Sequence, residues 1–274
     1  MQDFDGHCCL VTGAARGLGR EIARTLAARG GRIVVCDILA GELAEVAALL
    51  RAAGAEAIAL PCDVSDSAAV DAMFEAAADA FGPVAVLVNN AAVVPGTPLD
   101  EARRTAHYRW LTTPEPRRSL GFTSAMSDAD WHRFWDVNVH GLFYCTSAAL
   151  RQMEPAGYGR IVNIASIAGL SAPSAHSPHY SASKGAVIAF TRAVAAEVAG
   201  GNILVNAVAP GGVATPMFEA YLAGVGEEGR NRLMQLVPMG RFGSLEEYAG
   251  LVAYLASGSH YLVGQIISPN GGMM

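Results

Sequence analysis

This 274-residue chain is short of charge: only 16% of its residues are Asp, Glu, Lys or Arg, and they leave a net charge of −6. No basic block interrupts it, so it offers a nucleic acid no cationic footprint, and such partners are not expected. It also lacks an uninterrupted apolar run of the roughly 18 residues that a membrane-crossing helix needs. Its first residues, Met1-Gln-Asp-Phe-Asp-Gly6, have neither the basic start nor the apolar stretch of a secretory signal. A cytoplasmic location is the expectation. Cysteine is sparse and odd in number, at Cys8, Cys9, Cys36, Cys62 and Cys145, with no spacing that suits zinc. Buried free thiols are expected, and no metal. The seven histidines form no metal pair on a convincing helix; His176 and His179 read as loop residues near solvent. Low-complexity tracts, short repeats and linkers are missing as well, which favours one domain over residues 1–274.

What the chain has in quantity is apolar residues, 52% of the total, enough for a sheet buried on both faces. Short apolar runs alternate with helical patterns, which predicts parallel strands joined by helices. Helices are expected at 41–53, 67–81, 181–199 and 245–256, and helical periodicity runs through 127–153. Strands are expected at 56–62, 160–166 and 265–268, besides the apolar runs that end at Val11, Asp37, Val88 and Val208.

The first run, Cys8 to Val11, enters Thr12-Gly13-Ala14-Ala15-Arg16-Gly17-Leu18-Gly19, and a helical pattern follows. Strand, glycine-rich turn and helix together let backbone amides and a helix N-terminus meet a phosphate. The next strand, Ile33 to Asp37, ends in a carboxylate. An acid there accepts hydrogen bonds from an adenosine ribose diol and repels a 2′-phosphate, so NAD is expected in preference to NADP. Arg16, a cation in the turn, pulls the other way, but the charge conflict with a 2′-phosphate sits at Asp37 itself. Asn89 and Asn90 close the strand Val84–Val88, at the end where open α/β sheets bind ligands.

Tyr180-Ser-Ala-Ser-Lys184, with Ser166 upstream, brings together an acid, a cation and a hydrogen-bond donor. Residues four apart on a helix share a face, so the Lys184 ammonium is expected to lower the Tyr180 pKa. Ser166 is placed to donate to a substrate oxygen whose charge changes during reaction. Taken alone, Tyr-x-x-x-Lys also describes an ordinary surface pair.

The joint pattern resembles the short-chain dehydrogenase/reductase family, in its NAD-preferring form of ~250 residues. It consists of Thr12-Gly13-x-x-x-Gly17-x-Gly19, Asp63-Val64, Asn89-Asn90-Ala91, Asn138, Ser166, Tyr180-x-x-x-Lys184, Pro210-Gly211 and Gly264-Gln265, in family order. The resemblance implies a Rossmann-like, doubly wound α/β fold of about seven parallel strands with helices on both faces. It implies hydride transfer between a nicotinamide and a secondary alcohol or ketone. In that scheme Tyr180 is the general acid/base, Lys184 lowers its pKa and binds the nicotinamide ribose, Ser166 orients the substrate oxygen, and Asn138 holds a water that links Lys184 to solvent. Gly13, Arg16, Gly17, Leu18 and Gly19 would hold the dinucleotide and Asp37 its ribose. Asp63, Val64 and Asn90 would meet the adenosine side, and Pro210, Gly211, Val213 and Thr215 the nicotinamide end. A homotetramer, or a homodimer, built on the helices of 127–153 and 181–199 is also implied. A 3-oxoacyl-thioester reductase is the alternative activity, against which Asp37 counts. A catalytically silent dinucleotide-binding protein would not need the proton-transfer set.

The chain departs from the family pattern at Ala92, Leu204 and Asn270, and its Ser166 to Tyr180 gap is one residue longer than usual. An insertion at about 100–125 carries Arg103, Arg104, Arg109, Arg117, Arg118 and His107. A solvated surface loop, a lid or subunit contact, and a site for an anionic substrate all remain open for it. Residues 212–239, bulky at Met217, Phe218, Tyr221 and Leu222, read as a lid over an apolar substrate.

Overall fold

The apolar runs pair because each is too short for a helix and too hydrophobic to face water on either side. In order along the chain the strands are β1 (Cys8–Thr12), β2 (Arg32–Asp37), β3 (Ala57–Pro61), β4 (Val84–Asn89), β5 (Gly159–Ile164), β6 (Ile203–Val208) and β7 (Ile266–Ile267). They form one sheet in the order β3-β2-β1-β4-β5-β6-β7, with every pairing parallel. The expected doubly wound α/β architecture of seven strands is therefore the one found. The computed structural model describes residues 3–112, 114, 116–171, 174–214, 227, 231, 234–235 and 237–273.

Strand pleating sends alternate side chains to opposite faces. From β1, Cys9 and Val11 join Ile22 and Leu26 of α1 (Gly17–Ala27), Leu43 and Val46 of α2 (Ala40–Ala52) and Val252 of the last helix, α8 (Leu245–Ser257). Cys8 and Leu10 face the other way, onto Met73 of α3 (Ser67–Phe81), Cys145 and Met153 of α6 (Leu142–Ala156) and Val194 of α7 (Pro178–Val198). All five cysteines are buried and free, as expected of thiols packed as small hydrophobes.

Elements begin where local chemistry lets them. The Asp66 side chain accepts from the N–H groups of Ala68 and Ala69 and starts α3 at the expected residue. Pro178 occupies the first turn of α7, so this helix starts earlier than the expected residue 181 and takes Tyr180 into its own first turn. The helical stretch 127–153 is divided into α5 (Asp128–Trp135), a π-helical turn over Asp136–Gly141, and α6. The insertion is not a surface loop through its length: Pro98–Thr112 is a helix, α4. Thr97 and Asp100 cap it reciprocally, the Thr97 Oγ accepting from the Asp100 N–H while Asp100 accepts from the Thr97 N–H.

The chain leaves β3 at the sheet's edge and re-enters at β4, beside β1, so a crevice opens between the C-terminal ends of β1 and β4. Gly13 adopts φ +65° there, and a Cβ on it would lie 2.8 Å from the Ala91 Cα. At Gly19 a Cβ would collide with the Gly13 carbonyl and stand 2.5 Å from the Asn90 amide nitrogen. Gly19→Ala is expected to cost about 1–3 kcal/mol, the usual consequence of forcing a carbon into a filled space. Calorimetric unfolding checks this; an unchanged Tm would mean that the turn can open to admit a methyl group.

Candidate functional site

The glycine turn is held from below by two side chains. Thr12 Oγ1 accepts from the N–H groups of Asn90 and Ala91, each at 3.0 Å. Asn90 Nδ2 donates back to the carbonyls of Thr12 at 3.0 Å and Gly13 at 2.9 Å. Asn90 thus serves the turn itself, a role its place at a strand end does not reveal. Gly17 opens α1 with φ +55°, and no acidic side chain lies in the first turn of that helix. Its N-terminal amides suit an anion.

Above the turn lies a cavity of about 320 Å³. Gly13, Arg16, Asp37, Asp63, Val64 and Asn90 all line it, so four segments far apart in sequence meet there. Asp37 is oriented by two backbone donors, the Ala15 N–H at 3.1 Å and the Leu39 N–H at 3.2 Å, one to each carboxylate oxygen. Each oxygen keeps a lone pair for a hydroxyl. Asp63 Oδ1 accepts from the N–H and hydroxyl of Ser65, which turns the chain after β3. Cys36, Ile38, Leu39, Cys62, Val93 and Val137 line the same cavity and escaped the sequence reading. The signal for most of them was adjacency to strand ends, and for Val137 adjacency to Asn138. Leu18 and Gly19 belong to the turn and to α1 rather than to the lining.

The second half of the site lies beyond β5. Ser166 caps the short turn Ile167–Gly169, its Oγ accepting from the Ala168 N–H at 3.2 Å. It also hydrogen-bonds the Tyr180 hydroxyl. Burial raises the Tyr180 pKa, and the Ser166 bond offsets part of the rise. Lys184, 3% exposed, donates from Nζ to the Ile164 carbonyl at 2.8 Å, and its nitrogen lies 5.9 Å from the Tyr180 ring centroid. Burial pushes its pKa down to about 8. The expectation that Lys184 lowers the phenol is not met in this arrangement, because desolvation acts on both groups and disfavours both charges. What lowers Tyr180 is Ser166.

Asn138 occupies the π turn, where the wider helix aims it across to the chain that follows β4. Its Oδ1 accepts from the Val93 N–H at 2.8 Å, and its Nδ2 donates to the Val93 carbonyl and the Ser183 hydroxyl, each at 3.0 Å. Ser183 in turn donates to the Tyr180 carbonyl at 2.8 Å. Pro210 accepts from the Ile167 N–H, Gly211 packs so tightly on Asn270 that a Cβ would lie 2.8 Å from its Cα, and Val213 bridges to Gly243. Thr215, Met217, Phe218, Tyr221 and Leu222 lie outside the described residues. His176 and His179 are not near solvent: they are 7% and 0% exposed and pack against α4 and α5. Among the described residues no group of three or more His, Cys, Asp or Glu side chains is placed to hold a metal ion, and no helix is long and apolar enough to cross a membrane.

Residues 7–225 match the family model described as short chain dehydrogenase. The chain is 36% identical to a 3-oxoacyl-(acyl-carrier-protein) reductase of Synechocystis sp., covering all of this chain and 99% of the relative. It is also 36% identical to a cis-4-hydroxycyclohexanecarboxylate dehydrogenase of Sinomonas cyclohexanicum, covering 98% of this chain and 97% of the relative. Among solved structures it resembles a Serratia marcescens short-chain dehydrogenase/reductase at a TM-score of 0.82, with 30% identity and 99% of each chain covered.

The buried Lys184 ammonium should carry a stability cost. Its folded pKa of about 8 lies below the ordinary 10.5, so the penalty is full below pH 8 and fades as pH rises from there towards 10.5. Lys184→Met is expected to raise the Tm of the ligand-free protein at pH 7, by removing a cost of about 2–3 kcal/mol. The gain should shrink by pH 9.5, and thermal melts at both pH values check it. A variant less stable than wild type at pH 7 would show that the ammonium is well solvated.

Proposed function

The chain belongs to the short-chain dehydrogenase family and is an oxidoreductase; on that premise we propose that it uses NAD to oxidise a secondary alcohol, or NADH to reduce the corresponding ketone. The observation that carries the reading is Asp37: its carboxylate faces the cavity beside the glycine turn, aimed by two backbone N–H groups. A ribose diol satisfies its remaining lone pairs, whereas a 2′-phosphate meets its charge. The turn fits a dinucleotide. Gly13 and Gly19 lie so close to the chain that leaves β4 that a side chain there would fill the space, and the first amides of α1 suit the pyrophosphate. Gly13, Arg16, Gly17, Leu18 and Gly19 hold the dinucleotide; Asp63, Val64 and Asn90 flank its adenosine half, and Pro210, Gly211, Val213 and Thr215 its nicotinamide half.

When bound, NAD supplies the acceptor for the hydride that leaves the alcohol carbon. Tyr180 takes the hydroxyl proton in oxidation and returns it to the carbonyl oxygen in reduction. Ser166 donates to the same substrate oxygen and so stabilises its changing charge. Lys184, whose pKa burial brings down to about 8, is still largely an ammonium at physiological pH but gives up its proton more readily than an ordinary lysine, and is the conduit behind Tyr180. Asn138 fixes the chain on which that conduit opens, and its unused carbonyl lone pair is the place for a relaying water. We take residues 1–274 as one catalytic unit in the cytoplasm, where the five thiols stay reduced. An apolar groove of about 530 Å³ between α6 and α7, with Phe143 half-exposed at its rim, supports assembly with copies of the same chain into a homodimer or homotetramer.

A second reading, reduction of a 3-oxoacyl thioester, is supported by the likeness to the Synechocystis reductase. The cofactor separates the two. Asp37→Ala is expected to raise kcat/KM with NADP by about tenfold or more relative to NAD, since a like-charge conflict of a few kcal/mol is removed. A wild-type enzyme that already prefers NADP in a paired screen of alcohols and ketones would favour the thioester reading. Tyr180→Phe should lower turnover by about 10²–10⁴-fold, the usual worth of a general acid/base. NAD affinity should stay within severalfold by calorimetric titration, and full activity in this variant would remove Tyr180 from the mechanism.

A further inference from the structure

The inner face of α4 is ionisable along its length. Asp100, Arg103 and His107 are spaced three and four residues apart, which puts them on one side of the helix, and they are 1%, 6% and 2% exposed. An apolar stripe would suffice to dock a helix. This one faces α5 and the segment that leads into Tyr180. Across the contact, His107 Nδ1 stands 3.3 Å from His176 Nδ1. One nitrogen must donate and the other accept, so at least one ring must be neutral. Three residues on, the His179 ring is 4.1 Å from that of Phe134, which is 6.1 Å from the Tyr180 ring. Among the described residues neither His179 nitrogen makes a hydrogen bond of good geometry, although the Ser177 backbone lies near the ring; its Nε2 is 3.9 Å from Asp100 Oδ1.

We propose that His107 and His176 are positioning residues for the oxidoreductase reaction assigned above: their nitrogen-to-nitrogen contact clasps α4 to the segment Ser174–Tyr180 and holds that segment, and the catalytic tyrosine at its end, in place beside the substrate. The inference rests on that assignment for its function and on the contact itself for its structure. The clasp opens when both rings are protonated, since two Nδ1–H groups then face each other.

The surroundings oppose that second proton. From α4 the pair is faced by Arg104, Asp100 and Tyr108, and from the start of α7 by His179, which itself faces Arg103 and the Asp130 of α5, while Arg133 of α5 lies 3.7 Å from Asp100. Arg104 opposes the second proton more strongly than Asp100 favours it. Asp100 is moreover held by the Gly96 and Thr97 N–H groups at its own helix start. Burial lowers the pKa of His107 and, with Arg104 and His107 adding to it, takes that of His176 down to about 4. Both folded values lie below the ordinary one of about 6.5, so the clasp contributes fully above that pH and is lost as pH falls from about 6.5 towards 4.

Hydrogen–deuterium exchange on the full-length protein tests this without knowledge of the natural substrate, comparing wild type with His107→Ala and His107→Asn. Asn carries a donor and an acceptor near the Nδ1 position and does not titrate. At pH 7.5 the amides of 174–180 should exchange about tenfold faster in His107→Ala, with β4 and β5 protected as in wild type to show an intact fold. His107→Asn should stay close to wild type. Between pH 7.5 and 5, after correction for intrinsic rates, wild type should lose clearly more protection in that segment than His107→Asn, in which His176 alone of the pair titrates. Equal protection in all three proteins, or wild-type protection indifferent to pH, would overturn the proposal. If the alanine variant fails to fold, the pH comparison of wild type with His107→Asn decides alone. NADH-dependent reduction of cyclohexanone adds a kinetic reading: the alanine variant should lower kcat about fivefold with KM within about twofold. No turnover of cyclohexanone by wild type would count against the assigned substrate class and leave the exchange result standing.

Discussion

The two-way stitch between β1 and β4 is the constraint on which the rest of the site depends. Parallel neighbours that are far apart in sequence are joined only by their ladder, and the ladder ends where the crevice opens. Past that point the Thr12 hydroxyl holds the backbone of Asn90 and Ala91, while the Asn90 amide holds the backbone of Thr12 and Gly13. Four hydrogen bonds therefore fix two irregular segments that would otherwise splay. The tightness of that join is what forbids a side chain at Gly13 and Gly19, and what brings the start of α1 over the strand ends. A dinucleotide site needs backbone amides at a set distance from a phosphate, and only a join between backbone segments can provide it.

The proton-transfer half is tied to the same sheet by a buried polar ladder. Asn89 Nδ2 donates to Thr146 on α6 and to Asn163 on β5, and Asn163 Nδ2 donates to Thr191 on α7. In an apolar layer these groups fix register, because any slip leaves each of them unpaired at a cost of about 1–3 kcal/mol. The ladder thus aligns β4, β5, α6 and α7. Lys184 then adds its own bond to the Ile164 carbonyl at the end of β5. Tyr180 and Ser166 meet as a result of helix and strand alignment rather than of any contact unique to them.

The cofactor half was legible in the sequence for a physical reason. Turns with positive φ need glycine and strand ends need particular short polar side chains, so the residue types at Gly13, Gly17, Asp37 and Asn90 reveal their positions. Periodicity likewise located α3, whose start is marked by Asp66. At 127–153 it located the helix but not its division, because six residues of π helix shift the apolar pattern too little to interrupt it, although that shift is what aims Asn138. It failed at α4. A hydrophobic pattern marks a buried face only when the buried residues are apolar, and here they are Asp100, Arg103 and His107. Sequence spacing gives proximity but not desolvation, and burial acts on both Tyr180 and Lys184 in this site.

That contrast bears on where specificity resides. Backbone groups and short side chains build the dinucleotide crevice, and such parts tolerate little change because each fills a fixed space. The ionisable contact among α4, α5 and the segment before Tyr180 is of another kind. Buried Asp100 offsets the charge of Arg133 at 3.7 Å, and Asp130 that of Arg103 at 3.8 Å, distances at which attraction survives but good hydrogen bonds do not. Among the described residues the same two nitrogens, Arg103 Nη1 and Arg133 Nη2, make no hydrogen bond. A packed apolar interface would be more stable, since removing charges from water costs more than loose pairing returns. What a network of this kind gives in exchange is a discrete response: it is satisfied in one arrangement and strongly penalised in neighbouring ones. An inserted helix that must meet the segment before Tyr180 in a single geometry is better served by that sharpness than by the forgiving fit of aliphatic side chains.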